Sequence, residues 1–297
     1  MENASTPLVF LFVHGLGGKT LWMHPFVMSL AAALEMQNLP AAFYGLELLA
    51  YGGAHPTGQA HFDDRRHLMQ TVVAALDHLR ARHPEALLVP VGLSLGALVL
   101  THAMALLWKT NQITTLGPLQ FCLVSPAFRA ARASFGPEIY AQVIRGYALS
   151  LMGKPLTAPP IPLPYAENQV LVTRNQAMAE YMHADTRRVT HMSALGYLEL
   201  LKLTVLDTFR ALPRIHSPVL QFMPGCDAVC DSLWMIRGFE RIASDEKQLV
   251  LFPEAYHDLT VEPEMPLMAA YLAQWASAAI ETPPVAPLPL PGQPLPV

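Results

Sequence analysis

The sequence predicts an α/β protein: a mostly parallel six-stranded sheet flanked by helices, with one helical insertion. Three observations carry this. Short apolar runs of four to six residues alternate with longer segments of helical periodicity. The first run, Leu8 to Val13, is apolar throughout, as a strand buried on both faces requires. The alternation lapses from Ala127 to about Phe209 and then resumes, which marks an insertion.

Leu8 to Val13 is the first strand, and His14-Gly15-Leu16-Gly17-Gly18 follows it. Thr20 to Gln37 reads as a helix stopped before Pro40. Ala41 to Tyr44 is a second strand, and Gly45 to His61 is loop-like, punctuated by Gly52-Gly53 and Pro56. Leu68, Val72, Leu76 and Leu79 recur at helical spacing behind Asp63-Asp64, which can cap that helix. Ala86 to Val91 is the third strand. It feeds Gly92-Leu93-Ser94-Leu95-Gly96 and then an almost wholly apolar helix, Leu95 to Trp108. Leu119 to Val124 is the fourth strand.

Within the insertion no strand is clear. Prolines 155, 159, 160, 162 and 164 precede helix-like segments at Asn175 to His183 and Thr190 to Leu206. Val219 to Met223 is the fifth strand, Asp231 to Ala243 a helix, Gln248 to Phe252 the sixth strand and Glu264 to Ile280 the closing helix. The expected organisation is a core of residues 1–126 and 210–282, a helical cap of 127–209 and a proline-rich tail of 283–297.

Composition narrows the classes of function. The chain has 297 residues, 52% of them hydrophobic and 14% charged, a balance that raises a membrane span. The most apolar stretch, Leu87 to Trp108, is broken by Pro90, Gly92, Ser94 and Gly96 and reads as strand and helix. A net charge of −4 without a basic run argues against nucleic acid as a partner. No positively charged lead precedes the first apolar run, and three cysteines (122, 226 and 230) make no disulfide framework; a cytoplasmic location is expected. The twelve histidines show no metal-ligand spacing, so neither metal nor cofactor is expected.

The pentapeptide at Ser94 sits between strand and helix, where G-x-S-x-G lifts a serine hydroxyl clear of the sheet edge. A serine hydroxyl needs a base, and the base an orienting carboxylate. In this arrangement they follow in the order serine, acid, histidine. Asp227 lies just past the fifth strand, and His257, the one histidine beyond that strand, just past the sixth. Asp231 is a rival acid but stands where a helix should start, as its cap. His14 is read as structural, and His216 lies at the wrong end of the sheet. The main-chain N–H groups of Leu95 and Leu16 are the candidate donors to a developing oxyanion.

These segments resemble the monoacylglycerol lipase and lysophospholipase branch of the α/β-hydrolases. His14-Gly15-Leu16-Gly17 is similar to that family's oxyanion loop and Gly92 to Gly96 to its nucleophile elbow. Thr173-Arg174-Asn175 is similar to its cap, Asp227 to Ser232 to its acid loop, and Tyr256 to Leu259 with Glu262-Pro263-Glu264 to its histidine loop. The resemblance implies the α/β-hydrolase fold, with Ser94, Asp227 and His257 as the catalytic triad and Cys230 near the site. It has departures. Leu93 and Leu95 flank the serine where the family has His and Met, Pro224 replaces a glycine, and Gly18-Lys19-Thr20 replaces a Glu-His pair. The first strand matches the family's third, so the antiparallel hairpin that opens the family's sheet is not expected here.

Ser94 and Asp227 are 133 positions apart, enough chain to roof the serine. Leu93, Met152, Met178, Met182 and Cys230 are the expected substrate contacts, methionine being suited to irregular apolar ligands. The expected activity is hydrolysis of a small-molecule acyl ester, of monoacylglycerol type, by a monomer or weak homodimer whose cap touches a lipid interface transiently. The alternatives are a short-chain carboxylesterase or a lysophospholipase, and, from another class, a binding protein on the same fold.

Overall fold

The computed structural model describes residues 7–48, 59–131, 137–152, 160–163, 172–186 and 188–281. Six parallel strands form the central sheet: β1 (Leu8–Val13), β2 (Ala41–Leu46), β3 (Leu87–Leu93), β4 (Phe121–Val124), β5 (Val219–Pro224) and β6 (Lys247–Phe252). Their spatial order is β2-β1-β3-β4-β5-β6, with Leu8 registered between Ala41 on β2 and Leu87 on β3. The expected six-stranded, mostly parallel sheet is therefore present.

Strand alternation divides the core in two. Val9, Leu11 and Val13 of β1 enter a cluster with α2 (Arg65–Arg82) and α3 (Leu95–Lys109). Leu8, Phe10 and Phe12 enter the opposite cluster with α1 (His24–Glu35) and α9 (Met265–Glu281). A sheet covered on both faces explains why β1 is apolar at every position rather than at every second one. β6, at the edge, is mostly half-buried or exposed.

Between β4 and β5 lie α4 (Pro137–Leu151), α5 (Gln176–Ala184), α6 (Ala194–Leu201) and α7 (Thr208–Ala211); α8 (Ser232–Arg241) joins β5 to β6. A π-helical turn, Lys202–Asp207, links α6 to α7. Thr208 Oγ1 donates to the Leu203 carbonyl inside that turn and meets Nε2 of His102 on α3 at 3.1 Å. Arg65 clamps the same turn from α2, through Glu199 and Asp207 at 2.8 Å each.

Several boundaries differ from the sequence reading. The first helix is a 3₁₀ turn, Thr20–Met23, followed by α1, because Pro25 begins a new helix in its first turn. β2 runs on through Gly45 and Leu46, and β3 through Gly92 and Leu93. The last insertion helix starts at Ala194, capped by the Ser193 hydroxyl, not at Thr190. His191–Met192 instead pairs with Ile161–Pro162 and Gln59–Ala60 in a small three-stranded sheet. Two-residue strands are too short to show a period, so the insertion read as strandless. The proline-rich tail, Gly52-Gly53 and most of the proline run at 155–164 lie outside the described residues.

The sheet order reverses between β1 and β3, since the chain goes outward from β1 to β2 and then returns to the other side of β1. In open α/β sheets the crevice at the carboxyl ends of such neighbouring strands is where ligands bind. His14-Gly15 ends β1 and Ser94 ends β3.

Candidate active site

The turn at Ser94 is held open by its two glycines. Ser94 has φ 52° and ψ −110°, a conformation unfavourable for a residue with a Cβ. A Cβ at Gly92 would lie 2.6 Å from the backbone of Ala97, and one at Gly96 2.2 Å from the Val13 carbonyl oxygen. Only glycine lets β3 run into α3 at that separation. Ser94 N–H donates to the Val124 carbonyl at 2.9 Å, and the Ser94 carbonyl accepts from Leu98 and Ala127. The strained turn is thus fixed from three sides.

The structure brings the three distant residues together. Ser94 Oγ lies 2.8 Å from His257 Nε2, and His257 Nδ1 lies 2.7 Å from Asp227 Oδ2. Serine and histidine are buried, and no solvent reaches the Asp227 side chain. The other carboxylate oxygen of Asp227 accepts from the N–H groups of Val229 and Cys230, both at 2.8 Å. Its loop is tied to the histidine loop, since Gly225 and Cys226 N–H donate to the Phe252 and Ala255 carbonyls. Burial pulls the His257 pKa down, but the Asp227 charge and hydrogen bond outweigh it and hold the pKa above the ordinary value. A buried carboxylate, with its lone pairs otherwise taken by backbone donors, therefore favours the protonated imidazole that forms as a serine proton is withdrawn.

The rival residues have other partners. Asp231 caps α8, accepting from Leu233 and Trp234 N–H. His14 is buried between the Gly15 carbonyl at 2.8 Å and the Leu48 N–H at 3.1 Å, and desolvation lowers its pKa. It shapes the loop after β1. His216 packs its ring against Trp108.

A Cβ at Gly15 would be 3.3 Å from Ser94 Cβ, so the His14–Gly18 loop runs directly alongside the serine. Leu16 and Leu95 both border the same cavity as Ser94. Their N–H groups have no acceptor among the described residues. Leu95 opens a 15-residue helix, whose dipole adds positive potential there.

Two cavities meet at Ser94. The larger, about 270 Å³, is lined by Phe128, Val143, Tyr197, Leu200, Val229 and Trp234 among others. The smaller, about 50 Å³, is lined by His257, Leu93, Met182, Trp22, Lys19 and Arg188 among others. Of the expected substrate contacts, Leu93 and Met182 border the small cavity and Cys230 the large one. Met178 packs with the cluster of Trp22, Met182 and Val261, behind the small cavity. Met152 is a correction. It is 70% exposed just past α4 and borders neither cavity. Nine residues of helix separate it from Val143, a turn of about 900°, which places it on the opposite face.

The Cys230 thiol is buried, and desolvation together with Asp227 and Asp231 pushes its pKa well up, so it stays a thiol. Ligand-capable atoms of Asp227, Cys230 and His257 lie within 4.8 Å of one another. Both His257 ring nitrogens already face a partner in the serine–histidine–aspartate chain, an arrangement that suits proton transfer.

Other segments at the site stand out in the sequence, but how they join does not. Glu262, buried, accepts from Thr173 Oγ1, from Arg174 N–H and Nε, and from Tyr256 N–H, next to His257. The Asp258 N–H donates to the Val172 carbonyl. The cap-like and histidine-loop-like segments are thereby one hydrogen-bonded unit. Lys19, in the position where the sequence departs from the resembled pattern, forms a buried ion pair with Asp185 at 2.6 Å.

The family described as serine aminopeptidase, S33, matches residues 5–264. No curated protein matches by sequence. Among solved structures, the monoacylglycerol lipase of Paleococcus ferrophilus superposes with a TM-score of 0.73 at 16% identity, covering 91% of this chain and 94% of that one. A soluble variant of monoglyceride lipase from Saccharomyces cerevisiae, in complex with a substrate analog, gives 0.74 at 14% identity, covering 93% and 88%. A thermostable carboxyl esterase from Bacillus coagulans gives 0.71 at 11%, covering 94% and 92%. At these identities the likeness is one of fold, and that fold is the α/β-hydrolase fold.

Proposed function

The chain belongs to the serine aminopeptidase S33 family and has the α/β-hydrolase fold; on that premise we propose that it is a serine esterase acting on single-chain acyl esters of monoacylglycerol type. The observation that carries this reading is the large apolar cavity opening at Ser94. It suits an acyl chain, as such sites are mainly apolar with a few polar groups at one end.

In this reading Ser94 Oγ attacks the ester carbonyl while His257 Nε2 takes its proton. Asp227 keeps the imidazole in the tautomer that can do so and stabilises the imidazolium. The Leu16 and Leu95 N–H groups receive the charge on the carbonyl oxygen. His257 then returns the proton to the departing alcohol, and water resolves the acyl-enzyme by the same route. The segment between β4 and β5 acts as a cap. Ile144, Tyr147 and Leu151 of α4 and Val205 of the π-turn leave an apolar rim exposed, which supports transient contact with a lipid interface. Among the described residues no helix is long and apolar enough to cross a membrane.

The family description raises peptide substrates with a free amino end. Such a substrate would want a carboxylate beside the small cavity to receive its ammonium. Lys19 and Arg188 line it, and the carboxyl group that borders it, Asp258, already accepts from the Thr260 N–H and hydroxyl, which favours an ester. Hydrolysis of p-nitrophenyl esters of two to sixteen carbons, alongside 1-monoacylglycerol, tests the proposal. Medium- or long-chain preference that disappears in Ser94→Ala is expected. A short-chain peak without glyceride activity would point to the carboxylesterase alternative, and no activity on any ester to a binding protein.

A further inference from the structure

Ser94 borders both cavities, but His257 borders only the small one. In the esterase reading His257 Nε2 delivers its proton to the oxygen that leaves. The alcohol part of the ester therefore lies on the small-cavity side and the acyl chain in the large cavity. From Ser94 that chain runs towards the mouth. Residues that both line the large cavity and are exposed mark the mouth: Leu201, Val205 and Arg129.

Arg129 is the one charged residue in the described lining of the large cavity, which includes no carboxyl group. Its main chain is tied to the acid loop. The Arg129 carbonyl accepts from Asp231 N–H at 2.9 Å, and Ala131 N–H donates to the Val229 carbonyl at 2.9 Å. The guanidinium carbon stands 4.6 Å from the centre of the Trp234 ring, which also lines the cavity. Trp234 is held in turn by an edge contact with Phe209, the ring centres 4.8 Å apart. Arg237 stands over the same indole at 5.9 Å and adds to the positive potential there. A seat on an indole engages the face of a guanidinium but leaves its N–H fork free. No side chain or carbonyl among the described residues accepts from that fork. The neighbouring carboxyl groups do not pair with it: Asp231 receives the Leu233 and Trp234 N–H groups, and Glu138 of α4 is exposed and makes no ion pair. A plain alkyl terminus has no use for such a group. An apolar wall with one planar fork of donors seated at its far end matches a planar anion carried on a chain.

We propose that the large cavity takes acyl chains that end in a carboxylate, which Arg129 receives at the mouth, so that half-esters of dicarboxylic acids are the preferred substrates. The inference rests on the esterase reading and narrows its acyl part. The step is ordinary acyl transfer. The Ser94 Oγ–carbonyl bond forms, the carbonyl–alkoxy bond breaks, and the serine proton passes through His257 Nε2 to the alkoxy oxygen. Water then cleaves the acyl–serine bond and frees the dicarboxylic acid. The distal carboxylate keeps its charge throughout, and the number of methylenes fixes its distance from the reacting carbonyl. Too short a chain leaves the carboxylate unpaired against the apolar wall, which is costly. Too long a chain carries it past Arg129 into water.

The test compares monomethyl esters of dicarboxylic acids of four to fourteen carbons with methyl esters of monocarboxylic acids of the same length. The readout is the ratio of kcat/KM, half-ester over plain ester, at each length. The wild type should show a single maximum at one intermediate length, where the half-ester is favoured by roughly tenfold, a difference carried in KM. Arg129→Gln should lower the ratio at that length about tenfold and remove the maximum. Arg129→Lys, which keeps the charge without the fork, should restore part of it. If Arg129→Gln fails to fold, the wild-type profile and Arg129→Lys decide the matter. A wild-type ratio without a maximum, or a maximum that Arg129→Gln leaves in place, would overturn the proposal. An equal loss on both series in Arg129→Gln would assign Arg129 to holding the acid loop, and would equally overturn it. A wild type inactive on every ester of both series would instead remove the esterase reading itself.

Discussion

Replacing Gly96 by alanine tests whether the close approach of α3 to β1 creates the site. The new Cβ would stand 2.2 Å from the Val13 carbonyl oxygen and 2.6 Å from that of His14. A carbon–oxygen contact needs about 3.3 Å, so helix and strand must separate by about 1 Å. Both atoms it meets are backbone, and no rotamer change relieves them. Overpacking of this kind costs roughly 1–3 kcal/mol. For a chain of this size that is a fall in Tm of about 2–5 °C. The catalytic effect should be larger than the stability effect implies. The displaced carbonyls begin the loop that carries Leu16 N–H, and Ser94 lies two residues before the substitution. A misplacement of about 1 Å can cost on the order of 100-fold in rate. Thermal melting monitored by circular dichroism, with kcat/KM on a p-nitrophenyl ester, measures both. A folded Gly96→Ala protein with wild-type Tm and activity would refute the claim that this contact builds the site.

Three further outcomes follow from the same geometry. His257 must be neutral to act as base, and Asp227 holds its pKa above 6.5, so kcat/KM should fall as pH drops through a value above 6.5. In Asp227→Asn burial is opposed only by the Asp258 charge, and the inflection should move to lower pH while kcat drops by roughly 10³–10⁴; an unmoved inflection in the pH–rate profile would contradict this. Val143→Trp should fill part of the large cavity and shorten the preferred acyl chain, with about fourfold loss of kcat/KM for each methylene excluded, from about 0.8 kcal/mol per methylene. A chain-length profile unchanged from wild type would place the acyl chain elsewhere. Glu262→Gln cannot accept all four of the hydrogen bonds made by Glu262 and should cost about 2–3 kcal/mol in chemical denaturation. Wild-type stability would show that this clamp does not hold the histidine loop.

Much of the architecture was legible because it obeys simple periods. Leu8–Val13 is apolar at every position since helices cover both faces of the sheet, and α2 shows its buried stripe at Leu68, Val72, Leu76 and Leu79. The positions of Ser94, Asp227 and His257 could be read because each follows a strand, and parallel strands deliver their carboxyl ends to one edge. Asp231 could be read as a cap from its place before an amphipathic helix, and it is one. Other features have no local signature. The Lys19–Asp185 pair joins residues 166 positions apart, and neither lies in a periodic segment that would point to the other. The pairing of Gln59–Ala60 with His191–Met192 depends on tertiary packing. No helix was read at Pro137–Leu151, so the face of α4 that meets the cavity was not legible either. Val143 is buried whereas Ile144, Leu151 and the following Met152 are exposed. At Gly225 a signal was available and went unused. Its Cβ would lie 2.2 Å from the Pro253 carbonyl, so the glycine draws the acid and histidine loops together.

The central claim is that Ser94 is a nucleophile activated by His257. Incubation with an alkyl p-nitrophenyl phosphonate, followed by intact-mass measurement and peptide mapping, tests it most directly. One phosphonyl group per chain, located on Ser94 and released with one equivalent of p-nitrophenol, is the predicted result, with no labelling in Ser94→Ala and greatly slowed labelling in His257→Ala. A folded wild-type protein that remains unlabelled, or that carries the group on another residue, would contradict it.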